Sequence, residues 1–290
     1  RDNDGTSDFN DGWTTSNPNF QNDFTTSSSS DYFDVDFSPD GEFIVTASSD
    51  GFVRIWNKTS HINIISAATT GGVTSVSYSP DGMYVAAGID DDTMDIYYSS
   101  NLTSVHGPIS ADVGSGDQVN DVEFSPDSSL VAVSIGRSGN QGTNGQVFLI
   151  DAATGLKIGN GMNPNGEDRF YDSAFSPDGE LIALAGNGDF YIVNITSRAT
   201  VYTLTNPPGS VNAIAWSPDG NYIAMCGGYE QSGSSFDMYE FSGTQWVRIW
   251  EKTFSTSCYS TDFSYDSNQV GAGMGWYGND ANTARIYQSN

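Results

Sequence analysis

The sequence predicts an all-β fold assembled from six copies of one small antiparallel sheet. The first observation is a recurring turn, whose leading serines are 41, 46, 51, 41 and 47 residues apart. Self-similarity at such a period is typical of repeat proteins in which each unit is one sheet. The six copies are Ser38-Pro39-Asp40-Gly41, Ser79-Pro80-Asp81-Gly82, Ser125-Pro126-Asp127-Ser128, Ser176-Pro177-Asp178-Gly179, Ser217-Pro218-Asp219-Gly220 and Ser264-Tyr265-Asp266-Ser267.

The residue types of this turn favour a type I turn between two strands. Proline at the second position pre-sets the backbone angle φ, and the Ser and Asp side chains bond nearby backbone amides. Glycine closes four of the six copies. We therefore expect each copy to connect the first strand of a repeat to its second strand.

The second observation is apolar alternation on both sides of each turn. An aromatic residue precedes every leading serine, and most copies carry another apolar residue two positions earlier. This period of two is what a strand requires. A third strand follows in each repeat, and fourth strands are predicted at 61–67, 199–205 and 246–254. One position after the turn is apolar in all six copies: Ile44, Val85, Val131, Ile182, Ile223 and Val270.

Four strands per unit and six units resemble a WD40-type β-propeller over about residues 31–290. The closest local match runs from Ala47 to Asn57, where Asn57 stands in place of the family's usual Asp. No repeat carries the family's Gly-His pair. The family's signature Trp, at the end of the third strand, is present only as Trp56. The resemblance implies a six-bladed propeller of four-stranded antiparallel blades. Its His-Ser-Asp-Trp hydrogen-bond network is expected to be absent or partial, and Trp250 is expected on a fourth strand.

The last repeat reaches only its third strand, so the final blade needs an outer strand from elsewhere. An uncovered sheet edge would expose a row of backbone donors and acceptors. We expect residues 1–30 to supply that strand, beside a propeller formed by 31–290. The strand would close either its own ring or that of a neighbouring copy, and the second arrangement would make a polymer.

The charge balance argues against nucleic acid and lipid as partners. Ten Lys and Arg residues stand against 36 acidic ones, which gives a net charge of −26, and 29 of the acids are Asp. Such a surface repels phosphates and anionic lipid. No apolar run approaches the roughly 20 residues that span a bilayer. We therefore expect protein partners, including copies of the chain itself.

Three N-x-Ser/Thr sequons, at Asn57, Asn101 and Asn194, predict N-linked glycans on one face of the disk. The abundance of Asn, Ser, Thr and Gly and the scarcity of Lys favour an extracellular or cell-surface location. An alternative interpretation is that Asn merely replaces Asp in a turn that reads Asp-x-x-Thr-Gly at Asp151.

The two cysteines fall at the same end of adjacent predicted blades. Cys226 ends the second strand of the fifth repeat, and Cys258 begins the first strand of the sixth. A disulfide suits a secreted protein. Two small buried hydrophobic residues suit the same positions. The sequence leaves both interpretations open.

No cofactor and no enzymatic activity are expected from the motifs. The sequence contains two histidines, and it shows no nucleophile elbow, phosphate loop or zinc-ligand spacing. Calcium, which prefers oxygen ligands, is a weak candidate. Its candidate ligands lie in two acidic clusters, Asp2, Asp4 and Asp8, and Asp90, Asp91 and Asp92.

The leading functional hypothesis is a non-enzymatic, secreted, glycosylated structural or adhesive subunit of an extracellular filament. The first alternative is an intracellular WD40-like scaffold for protein partners. The second alternative is a propeller hydrolase or glycan-binding module. The predicted partner surface lies opposite the sequons, on long loops rich in residue types that dominate binding interfaces. Its candidate residues are Arg137, Tyr229, Trp276 and Tyr277.

Overall fold

The computed structural model describes residues 30–110, 117–137, 145–205, 210–229, 233–254, 257–275 and 283–288. Within these ranges the regular secondary structure is β-strand, so the all-β prediction is confirmed. They contain no helix that is long and apolar enough to cross a bilayer. The chain separates into two compact units, whose described parts are 30–175 and 176–288.

The first unit is a series of antiparallel sheets with strands paired in chain order. Strands β1 to β4 form one sheet, β5 to β8 the next, and β9 to β11 a third. The bounds are β1 Tyr32–Phe37, β2 Phe43–Ser48, β3 Phe52–Asn57, β4 Asn63–Ala68, β5 Val73–Tyr78, β6 Tyr84–Ile89, β7 Thr93–Tyr98, β8 Ser104–Ser110, β9 Asp117–Phe124, β10 Leu130–Arg137, β11 Gln146–Asp151 and β12 Phe170–Phe175.

The second unit repeats the same antiparallel order. Strands β13 to β15 pair in sequence, β16 to β19 form a four-stranded sheet, and β20 to β22 form a three-stranded one. Trp250 lies on the fourth strand of its sheet, as its spacing predicted. The bounds are β13 Leu181–Gly186, β14 Asp189–Asn194, β15 Thr200–Thr205, β16 Val211–Trp216, β17 Tyr222–Tyr229, β18 Gly233–Phe241, β19 Trp246–Phe254, β20 Ser257–Phe263, β21 Gln269–Gly275 and β22 Thr283–Gln288.

The third repeat lacks the regular fourth strand that was predicted for every blade. In its place, isolated bridges join Val147 to Met162 and Ile150 to Lys157. A side-chain carbon on Gly161 would collide with Gln146, so this segment approaches its neighbours too closely for ordinary residues. Residues 1–29 lie outside the described ranges, and the completion of the last blade by residues 1–30 stays a prediction.

Apolar side chains fill the space between consecutive sheets. Val76 and Tyr78 of β5 pack against Val45 and Ile55 of the preceding sheet in one continuous cluster. The second and third sheets share an equivalent cluster, and the sheets β16–β19 and β20–β22 share another. The core is therefore divided into layers, each made by the facing apolar side chains of two consecutive sheets.

The recurring turn has the conformation that its residues predicted. In Ser38-Pro39-Asp40-Gly41, the Ser38 hydroxyl donates to Asp40 Oδ1 at 2.6 Å, and the Gly41 amide donates to the Ser38 carbonyl at 2.8 Å. The fourth residue of all six copies has a φ between 59° and 76°. This left-handed region favours glycine, since it has no Cβ.

Two copies place serine at this strained position, and each serine makes a bond that glycine cannot make. The Ser128 hydroxyl accepts a hydrogen bond from the Asp81 amide, and the Ser267 hydroxyl accepts one from the Asp219 amide, both at 3.0 Å. Each bond joins the turn of one repeat to the turn of the repeat before it. A net gain of about 1 kcal/mol per hydrogen bond is of the size needed to offset the backbone cost.

Replacement of Ser128 should separate these two contributions. We expect Ser128→Ala to lower the free energy of unfolding by about 1 kcal/mol, because the hydrogen bond is lost and the strain remains. Ser128→Gly should stay close to wild type, because relief of strain offsets the lost bond. Urea unfolding measures both values, and the same pair of substitutions at Ser267 is the replicate in the second unit. Equal losses for Ala and Gly would contradict the compensation.

Candidate functional site

An open groove of about 370 Å³ lies between the first two sheets, at the end that carries the recurring turns. Its apolar wall consists of Phe43 and Ile55, the neighbouring pair Ile64 and Ile65, and Tyr78 at the end of β5. Ile55 and Tyr78 are buried, whereas Ile64 is 56% exposed. The wall therefore continues outward from the core onto an accessible apolar surface of β4.

Two recurring turns carry a carboxylate to the rim of this groove, Asp40 and Asp81. Oδ1 of Asp40 accepts the Ser38 hydroxyl at 2.6 Å and the Glu42 amide at 3.0 Å. Oδ1 of Asp81 makes the equivalent pair of bonds in its own turn. Within the described ranges, Oδ2 of neither residue receives a hydrogen bond. One oxygen of each carboxylate thus holds the turn, while the other is available at the rim.

The groove combines an ionised rim with a neutral phenol. The Ser38 hydroxyl, followed by the Glu42 amide, holds the pKa of Asp40 below its usual range, and Lys58 contributes in the same direction. Burial raises the pKa of the Tyr78 phenol, and the charges of Asp36 and Asp40 raise it further. At neutral pH Asp40 is therefore negative and Tyr78 keeps its proton.

Acidic side chains also connect the first strands of consecutive sheets in the first unit. Asp36 Oδ2 on β1 accepts the Tyr78 amide at 2.7 Å. Two sheets further on, Glu123 Oε2 on β9 accepts the Phe175 amide at 2.9 Å. We call these bonds from one first strand to the amides of the next the inner-strand contacts. They satisfy backbone groups on the free edge of each first strand.

The inner-strand contacts include a continuous chain across four strands. Asp34 Oδ2 accepts the Ser75 hydroxyl at 3.0 Å and the Val76 amide at 2.9 Å. The Ser75 hydroxyl also lies 3.2 Å from Asp121 Oδ1, and Asp121 Oδ2 accepts the Ser173 amide at 3.2 Å. The sequence analysis missed this network. Its signal is the alternation of Asp, Ser and Glu with apolar residues along the first strands of the first three repeats.

Burial is the main influence on the pKa values of the two aspartates in this hydrogen-bonded series. Burial raises the pKa of Asp121 to about 7, and the charge of Asp34 raises it further, although hydrogen bonds from Ser173 and Ser75 oppose the shift. Burial also raises the pKa of Asp34. Asp121 therefore exchanges its proton near neutral pH, whereas the carboxylate on the groove rim does not.

The raised pKa of Asp121 predicts a pH-dependent stability. Folding favours the protonated carboxyl, so its stabilising contribution is fully present below the unfolded pKa and is lost as pH rises through about 7. We expect Asp121→Asn to flatten the decline in melting temperature between about pH 4 and 7, because the titrating group is gone. Scanning calorimetry across that range measures the slope.

Asp127→Asn is the control for this prediction. The Ser125 hydroxyl, followed by the Ser129 amide, lowers the pKa of Asp127. Its contribution is present above the unfolded pKa and is lost as pH falls through the lower folded pKa. This variant should reduce the melting temperature near pH 7. It should leave unchanged the decline in melting temperature with rising pH that we attribute to Asp121. A wild-type slope in Asp121→Asn would show that other groups cause the dependence.

The family's hydrogen-bond network is partial, as predicted. Trp56 Nε1 donates to Thr46 Oγ1 at 2.9 Å. Asp50 instead pairs with Arg54, whose two terminal nitrogens lie 2.9 and 2.6 Å from its carboxylate oxygens. Arg54 of the third strand thus forms an ion pair with Asp50 in the loop that joins the second and third strands.

The three sequon asparagines hold turns. Oδ1 of each accepts a backbone amide two or three residues ahead, at 2.8 or 2.9 Å. Asp151 makes the same bond to Thr154 at 2.8 Å. Asn57, Asn101 and Asn194 thus have the turn-holding role that the alternative interpretation gave them, and N-linked glycans at these positions stay a prediction.

Cys226 and Cys258 are joined by a disulfide, with an S–S distance of 2.09 Å and a Cα–Cα distance of 5.5 Å. Both residues are buried in the cluster between the sheets β16–β19 and β20–β22. The bond therefore connects two consecutive sheets of the second unit.

Among the other predicted site residues, the structure describes the acidic cluster Asp90, Asp91 and Asp92. Oδ1 of Asp90 accepts the Gly72 amide, and Oδ1 of Asp91 accepts the Thr93 hydroxyl. The described part of the chain, which includes Asp92, holds no group of three or more acidic, His or Cys side chains arranged for a metal ion. The remaining candidates stay predictions, because the residues or their side chains lie outside the described ranges: Asp2, Asp4, Asp8, Arg137, Tyr229, Trp276 and Tyr277.

Known proteins match this chain through the same repeats. The family model described as WD domain, G-beta repeat matches residues 20–57, 60–97 and 198–233. Actin-interacting protein 1 of Drosophila melanogaster is 26% identical over 66% of this chain and 31% of its own length. Protein hir-1 of Neurospora crassa is 28% identical over 71% of this chain and 24% of its own length. The chain spans well under two thirds of both relatives.

These comparisons correct the leading functional hypothesis. A relative named for its interaction with actin, a protein of the cell interior, points away from a secreted structural subunit. The predicted filament subunit and the extracellular location are therefore wrong, and the intracellular scaffold is the alternative that the relatives favour. The matched repeats confirm the resemblance to WD40 repeats that was read from the turns.

Proposed function

We propose that this chain is a non-catalytic intracellular WD40 scaffold that binds a protein partner in the groove between its first two sheets. In this proposal the six repeats form the blades of a six-bladed propeller. The observation that carries it is the groove of about 370 Å³, which continues from the core to exposed Ile64.

The composition of the groove suits a polypeptide partner. Apolar side chains at the centre of a patch, with polar groups around them, are the usual arrangement of a protein interface. Here Ile64 and Ile65 lie beside the hydroxyls of Ser99 and Ser100 and the turns of the rim. The name of one relative, Actin-interacting protein 1, also specifies a protein partner.

Replacement of Ile64 should weaken partner binding without affecting the fold. Because Ile64 is 56% exposed, Ile64→Ser costs little apolar burial in the free protein. In a complex the same side chain is covered, and the loss of a buried aliphatic side chain weakens binding by about tenfold or more. Quantitative mass spectrometry of proteins co-purified with each variant from cells measures the difference.

Ile62→Ser is the matched control, because Ile62 is 62% exposed and lies just before β4, outside the residues that line the groove. Specific partners should be depleted with Ile64→Ser and retained with Ile62→Ser, at equal melting temperatures. Identical partner sets for both variants and wild type would refute the groove as the interaction site.

A further inference from the structure

We infer that the groove accepts an arginine or lysine side chain of the partner, carried beside an apolar residue in an extended segment. This inference rests on the proposed function, since it names the chemistry of the segment that the groove binds. The partner's cation would meet the rim carboxylates Asp40 and Asp81, while its apolar neighbour would cover Ile64.

The rim carboxylates are placed to meet a cation from outside the chain. Oδ1 of each holds its own turn, and Oδ2 of each receives no hydrogen bond from the described residues. Asp127 and Asp178 also accept hydrogen bonds through Oδ1 alone, so a free Oδ2 is common in the recurring turn. Asp40 and Asp81 are distinguished because they line the same groove. In the fifth copy, Asn221 Nδ2 donates to Asp219 Oδ2 at 2.9 Å, so that oxygen is already occupied.

The nearest cation of the chain does not neutralise the rim. Lys58 is exposed and influences Asp40 electrostatically. Within the described ranges, however, no ion pair joins Lys58 to either rim carboxylate. With ten basic against 36 acidic residues, the chain has few cations of its own to offer. A basic partner therefore gains attraction during the encounter as well as in the complex.

The apolar wall supports a long basic side chain rather than a bare cation. Lys and Arg place their methylene stems along apolar surface and keep the charged end in a polar environment. Ile64 and Ile65 offer such a surface, and the carboxylates stand at its edge. Arg has the better geometry for carboxylates, because its planar guanidinium presents several donors at once.

A peptide titration against the full chain tests the inference. The probes are Ac-Leu-Arg-Leu-NH2, the same peptide with citrulline, which keeps the shape and removes the charge, and the same peptide with glutamate. Methyl NMR of the isoleucines reports binding at Ile64 and Ile65. We expect the arginine peptide to bind about two- to tenfold more tightly than the citrulline peptide, as two partly exposed ion pairs would give. The glutamate peptide should bind most weakly.

Two further measurements show whether the rim causes this preference. In the double variant Asp40→Asn and Asp81→Asn, each turn keeps an Oδ1 acceptor, and arginine and citrulline peptides should bind equally. For wild type, raising the salt from about 0.05 to 0.5 M should remove the same preference. The salt series requires no variant, so it decides the question even if the double variant unfolds.

The outcomes separate this inference from the proposed function. Equal binding of all three peptides at the groove, with a salt-independent affinity, would overturn the basic partner and leave the groove as an interaction site. Peptide binding that leaves the Ile64 and Ile65 methyl signals unchanged would overturn the inference outright. Loss of the proposed function would appear instead as equal partner sets for Ile64→Ser and Ile62→Ser.

Discussion

The free edge of each first strand is the constraint that shapes the first unit. This strand pairs on one side only, so alternate amides point away from its sheet and need acceptors. Side chains of the preceding first strand supply them, as Asp36 does for Tyr78 and Glu123 for Phe175. The apolar residues that alternate with these acceptors pack on the preceding sheet. Each first strand thus contributes apolar side chains to the core and acceptor side chains to the next first strand.

This constraint changes the meaning of the acidic composition. A net charge of −26 suggests a surface property, yet part of the acid lies between strands. Asp34 and Asp121 accept amides in buried surroundings, and burial raises the pKa of both. Other aspartates hold the recurring turns through one oxygen. The carboxylate oxygens that we propose for partner binding are the ones that local structure does not use, Oδ2 of Asp40 and of Asp81.

The sequence predicted most of the fold because turns and strand alternation are local. The six turns, the order of the strands and the position of Trp250 all follow from short patterns. It did not predict the irregular outer segment of the third repeat, where two isolated bridges stand in place of a regular strand. It also missed the groove, because Ile64 and Asp81 belong to different repeats and only packing brings them together. The sequons do not single out glycan sites, since a turn accepts Asn and Asp alike.

The two sets of carboxylates respond to different conditions, and that difference gives each a distinct physical role. Asp121 is half-buried between first strands, and desolvation raises its pKa to about 7, so its charge follows pH near neutrality and is less screened by salt than that of an exposed group. Asp40 is exposed and its pKa is lowered by the hydroxyl of its own turn, so it stays ionised but is screened by salt. Proton uptake therefore acts on the contacts between first strands, whereas ionic strength acts on the attraction of partners to the rim. The proposed scaffold would keep its sheets together and recruit a basic segment with the same residue type, because burial and local hydrogen bonds separate the two uses.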